Sequence, residues 1–122
     1  MHVGPRDAYA AYSAAWHELA SAARDQLLER SWADDGTFFD PEVPNGLVGR
    51  EALDAYIAET HAEMPGLVIT ETSELQMLGN RVRVTWVAHQ DGQQTYTGTD
   101  FIEFADDGRI ARLTMFYDST PD

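Results

Sequence analysis

The chain has no cysteine and no lysine. The first absence removes disulfides, thiolate nucleophiles and cysteine-held metals together, and leaves the redox compartment undetermined. The second leaves arginine as the only strong cation. Eight arginines stand against 21 Asp and Glu residues, for a formal net charge of −13. A surface so acidic repels phosphate backbones and anionic lipid, and no basic cluster offsets it, so neither nucleic acid nor membrane is an expected partner. No apolar run approaches membrane-spanning length. The opening residues, MHVGPRDAYAAYS, lack the basic-then-apolar layout of a signal peptide, so a cytoplasmic protein is the expectation. There is no Gly-rich phosphate loop and no serine-nucleophile motif. His2, His17, His61 and His89 show no metal-ligand spacing such as H-x-H or H-E-x-x-H. No metal and no cofactor is therefore expected.

What remains is an ordinary apolar content in 122 residues, enough for one domain over residues 1–122 and too little for two. The stretch from Arg81 to Phe104 organises the rest. Two runs rich in β-branched and aromatic residues flank Asp91-Gly92, a strong hairpin signal. Upstream, alanine-rich sequence with Tyr9, Tyr12, Trp16 and Leu19 or Ala20 at helical spacing predicts a helix over 6–20. A second helix is predicted over 22–33, with Leu27, Leu28 and Trp32 facing the core, and a third over 50–62. Between them lie a short strand, Thr37–Phe39, and a loop over 40–49 punctuated by Pro41, Pro44, Asn45, Gly46 and Gly49. Four strands follow, over 67–78, 81–90, 95–104 and 109–118, joined by tight turns. Helices first and strands second predict an α+β fold, with the helices gathered on one face of a curved antiparallel sheet.

Within the third of those strands Asp100 shares a face with Ile102 and Phe104. A carboxylate on such a face is costly unless something stabilises or uses it.

The order Trp32-Ala33-Asp34-Asp35, Phe39-Asp40-Pro41, Gly49 before a helix, Gly98-Thr99-Asp100-Phe101 and Asp107-Gly108-Arg109-Ile110 resembles the nuclear transport factor two-like superfamily. That superfamily includes the ketosteroid isomerases and the SnoaL-like polyketide cyclases. The resemblance runs from about Tyr9 to Asp118, and it implies a cone: a strongly bent sheet wrapped around helices, with a pocket at the open end. It places Asp40 at the general-base aspartate of the isomerases. It places Asp100 at the aspartate that donates a hydrogen bond to the developing oxyanion, a carboxylic acid kept neutral by an apolar site. Trp16 stands where the isomerases carry their oxyanion tyrosine. An indole N–H donates but is no acid, so the departure argues against steroid isomerisation, and Tyr12 one turn earlier is a substitute donor.

Read from the residues, Asp40 before Pro41 is either the base or a turn-capping side chain. Asp100 is either a pocket acid or a buried aspartate bonded to a backbone N–H or to an arginine. The expected pocket walls are Tyr12, Trp16, Trp32, Phe39, Tyr56, Trp86, Leu113, Met115 and Tyr117, suited to a small apolar or polycyclic ligand with a few oxygen functions. Two functions stay open. One is a cofactor-independent acid–base enzyme of isomerase, cyclase or epoxide-hydrolase type; the other is a non-catalytic ligand-binding or dimerisation module. Thr85, Val87, Phe101 and Phe116 fall on the opposite sheet face, and this apolar strip predicts a two-fold homodimer.

Overall fold

Pro5, whose missing N–H costs nothing at a helix start, opens helix α1 (Pro5–Ala15). The computed structural model describes residues 3–121, so His2 lies outside the described residues. The helix stops five residues short of its predicted end. Two histidines satisfy carbonyls there: His17 Nδ1 lies 3.0 Å from the Ser13 carbonyl oxygen, and His61 Nε2 pairs with the carbonyl of Trp16. Those bonds turn the chain away, and Leu19 is left exposed instead of extending the buried stripe.

Helix α2 (Ser21–Ser31) gives way without a break to strand β1 (Trp32–Phe39). Trp32 faces the core as expected, but from a strand, because it pairs with Ile110 in the last strand. Arg24 is also buried in α2, held by Asp54 and by the carbonyl of Glu18. A cation removed from water needs such partners. A two-residue strand, β2 (Leu47–Val48), interrupts the predicted loop, and helix α3 (Arg50–Glu63) follows Gly49, whose φ of 91° suits glycine.

The predicted strand over 67–78 is two pieces, β3 (Val68–Glu71) and β4 (Gln76–Leu78). Between them the Ser73 hydroxyl accepts from the Thr85 N–H at 2.9 Å, and the ladder is interrupted. Then come β5 (Arg81–Gln90), β6 (Gln93–Phe104) and β7 (Ile110–Ser119). The turn between β5 and β6 has φ of 53° at Asp91 and 79° at Gly92, two positive values that match the twist of a tight hairpin.

The sheet order is β2-β1-β7-β6-β5-β3, with β4 beside β5. The expected antiparallel sheet is corrected at one junction. β1 and β7 run parallel, since the chain between them crosses over through α3 and the β3–β6 strands. Helix residues Tyr9, Tyr12, Leu53 and Ile57 pack on inner-face residues Val82, Val84, Ile102 and Leu113 to make the main core. The result is the α+β cone, helices inside a curled sheet. Among the described residues no helix is long and apolar enough to cross a membrane.

Candidate active site

Asp40 follows β1 directly. Its Oδ1 accepts the N–H groups of Glu42 and Val43 at 2.8 and 3.1 Å, which bends the loop after Pro41. Its Oδ2 accepts the Tyr56 hydroxyl at 2.6 Å across from α3. One oxygen therefore caps the turn, and the other meets Tyr56 at the cavity wall. Among the described residues three donors converge on the carboxylate and no cation does.

Asp100 comes from the middle of β6 and is 5 % exposed. Trp86 stands diagonally across on β5, where it is registered with Gly98. Its indole lies over Gly98 and its Nε1–H donates to Asp100 Oδ1 at 3.0 Å. From α1 the Tyr9 hydroxyl approaches Oδ2 at 3.5 Å, the long limit of a hydrogen bond. Burial pushes the Asp100 carboxyl up to about 7; the Trp86 and Tyr9 donors act against that rise without cancelling it. Burial and the Asp100 charge likewise push the phenols of Tyr9 and Tyr12 upward.

Asp40 and Asp100 line the same cavity, about 110 Å³ in volume and partly open to solvent. Of the expected wall residues, Tyr12, Trp16, Tyr56, Trp86, Met115 and Tyr117 border it. Trp16 meets Tyr56 edge to face at 6.2 Å, so its ring, not a phenol, shapes this wall.

Three expected wall residues lie elsewhere. Phe39 points to the outer side of β1, against Gly46 and under the Arg112 guanidinium. Phe38 takes the inner position. Trp32 is fully buried behind Tyr12, stacked on it at 5.6 Å, and Leu113 is sealed in the core.

Tyr9 and Tyr96 were not among the expected site residues. Tyr96 borders the cavity and has the strand parity of Asp100, a signal present in the sequence. Tyr9 reaches Asp100 only because α1 crosses the sheet at that point. His61 is half-buried and bonded to the carbonyl of Trp16, just past α1. Among the described residues no group of three or more His, Asp or Glu side chains is placed to hold a metal ion.

The SnoaL-like domain profile matches residues 6–113, most of the chain. The protein belongs to the SnoaL-like family. Solved structures agree with that assignment. A candidate isomerase of the SnoaL-like family from Agrobacterium tumefaciens strain C58 superposes with a TM-score of 0.85 at 26 % identity, over 92 % of this chain and 95 % of that one. A Catenulispora acidiphila protein with a ketosteroid isomerase-like fold, solved in complex with trimethylamine, gives 0.73 at 22 % identity over 94 % and 87 %. A candidate ketosteroid isomerase from Kribbella flavida gives 0.71 at 19 % identity over 97 % and 80 %. No curated protein sequence matches this SnoaL-like chain significantly. The two likenesses at lower identity speak to the fold alone.

Proposed function

We propose that this SnoaL-like protein is a cofactor-independent acid–base enzyme acting on a largely apolar carbonyl or polycyclic compound. Asp40 takes a proton from the carbon beside the carbonyl through Oδ2. The C–H electron pair moves into the new C=C bond, and the carbonyl π pair moves onto oxygen. Asp100, neutral below its raised pKa, donates a hydrogen bond to that oxyanion with Tyr12 beside it. Return of the proton from Asp40 to another carbon completes an isomerisation. Attack of the enolate on a second carbonyl gives a ring closure instead: the π pair of that carbonyl moves onto its oxygen, which takes the proton back from Asp40. One observation carries the reading: two carboxylates, one in the loop directly after β1 and one within β6, border a single aromatic-walled cavity, and their surroundings differ. The candidate-isomerase assignment of the Agrobacterium relative also supports a small-molecule site in this cone.

A carrier without turnover is the second reading. It is favoured by the two backbone bonds that engage Asp40 and by the Trp86 and Tyr9 bonds that engage Asp100. A panel of enolisable ketones in deuterated buffer separates the two, with α-carbon exchange followed by NMR. Asp40→Asn should exchange at least about 100-fold more slowly than the wild type, the usual contribution of a positioned base. Equal rates in the two proteins would leave the carrier reading.

The assembly we propose is a homodimer through the outer sheet face. Phe101 and Phe116 are 44 % and 52 % exposed there, with rings in an edge-to-face pair at 5.9 Å. Thr85 and Val87 lie on the same face of the neighbouring strand. Isologous pairing would remove both rings from water. Light scattering at tens of micromolar should give twice the chain mass. The Phe101→Glu, Phe116→Glu double variant should give the chain mass. A monomeric wild type would end the dimer proposal.

A further inference from the structure

We infer that the cavity takes a ligand bearing an organic cation, a protonated or quaternary amine, seated at its mouth. This rests on the cavity being a ligand site and narrows the substrate class within it.

The cavity is bordered by seven aromatic rings and by the carboxylates of Asp40, Glu42, Glu63 and Asp100, and none of the arginines lines it. Each arginine with a carboxylate partner finds it elsewhere: Arg24 on Asp54, Arg50 and Arg109 on Asp34, Arg81 and Arg112 on Glu103. Among the described residues the only basic group on the wall is His17. Its two ring nitrogens are engaged by the Ser13 carbonyl and by the Ile69 N–H, so neither is left to meet a ligand anion. An anionic ligand such as a carboxylate, a phosphate ester or a coenzyme A thioester finds no counter-charge here.

The two ends of the cavity differ. Asp100 and Trp86 lie in the buried depth, whereas Glu42 and Glu63 are exposed. Near the exposed end Tyr96 and Tyr117 stack at 4.8 Å with 28° between their planes. Ring faces attract cations through their quadrupole, and the attraction grows as water is excluded. Burial and the charges of Glu42 and Asp40 push the Tyr117 phenol up to about 12, so that ring senses the negative field at the mouth. A cation held between Glu42, Glu63 and these rings leaves Asp100 in its uncharged form and directs the uncharged part of the ligand inward.

The test compares choline with its neutral carbon isostere, 3,3-dimethylbutan-1-ol, by calorimetric titration at low salt. Choline should bind at least about tenfold more tightly. The conservative Glu42→Gln, Glu63→Gln double variant should lose at least about fivefold of choline affinity and keep its affinity for the alcohol. Equal affinity of the two probes would overturn the cation assignment while leaving the ligand site, and the proton-transfer reading, in place. A choline preference unchanged in the double variant would also overturn it, since the mouth carboxylates would then play no part. Binding of neither probe would overturn the cation assignment together with the cavity as a site for heads of this size; ketone exchange by the wild type would still stand as separate evidence for proton transfer.

Discussion

Asp100→Asn should be more stable than the wild type at pH 8, by up to about 4 kcal/mol, and no different from it below pH 4. The carboxyl of Asp100 is raised from its ordinary 3.8 to about 7 because β6 buries it among Trp86, Tyr9 and Tyr12. Between those two values the unfolded chain has released its proton and the folded chain keeps it. Stability therefore falls as pH rises through that window, by about 1.4 kcal/mol per pH unit, and levels off above the folded pKa. Asparagine has the shape of the neutral acid. Its Oδ1 accepts the Trp86 N–H as the aspartic acid does, and its amide serves the Tyr9 oxygen. Other carboxylates of this acidic chain titrate over the same range, but they do so in both proteins. The difference between the two stability curves isolates Asp100. Urea denaturation at pH 4, 5, 6, 7 and 8 measures it. A difference curve that stays flat would mean that the carboxyl ionises normally, and Asp100 would lose its role as a neutral donor.

Much of this arrangement is legible in the chain before folding, and the parts that are not share a cause. The Asp91-Gly92 hairpin is local chemistry, so its two strands and the inward parity of Trp86 and Asp100 follow directly. Parity also identifies Phe38. It lies two residues before Asp40, and with Asp40 turned inward the inner ring of the Phe38-Phe39 pair has to be the first. By contrast, nothing local ends α2 at Ser31. No glycine or proline separates it from Trp32, and the strand begins there because Ile110, 78 positions later, offers a parallel partner. The split of the third predicted strand is of the same kind, since Ser73 leaves the ladder to meet the Thr85 backbone. Tyr9 reaches Asp100 across 91 positions of sequence. The cavity is the least legible feature of all. The same rings, packed a little closer, would make solid core, and only their placement around the two acids leaves the space between them.

Gly98→Val should cost about 3 kcal/mol or more, against what strand propensity alone would suggest. A glycine inside a β-strand is ordinarily a weak point, and a β-branched residue there would improve the strand. Here an added Cβ would lie 2.2 Å from Trp86 Cζ2, 2.6 Å from Cε2 and 2.7 Å from the carbonyl oxygen of Phe116. The indole alone has room to answer by rotating about its side-chain bonds; the Phe116 carbonyl belongs to the paired backbone of β7 and has no such freedom. Relief therefore needs both a displaced ring and a shifted strand, and overpacking of that kind costs about 1–3 kcal/mol. The displaced ring also loses its bond to Asp100, a further 1.5 kcal/mol or so for a donor on a buried acid. Gly98→Ala should fall between valine and wild type, because it adds the clashing atom without the branches. Urea denaturation measures the cost. Titration of Asp100 by NMR gives an independent readout. Without the Trp86 N–H, which acts to lower it, the carboxyl pKa should move further above 7. A valine variant as stable as wild type, with Asp100 unmoved, would show that the indole does not depend on the missing side chain to reach the acid.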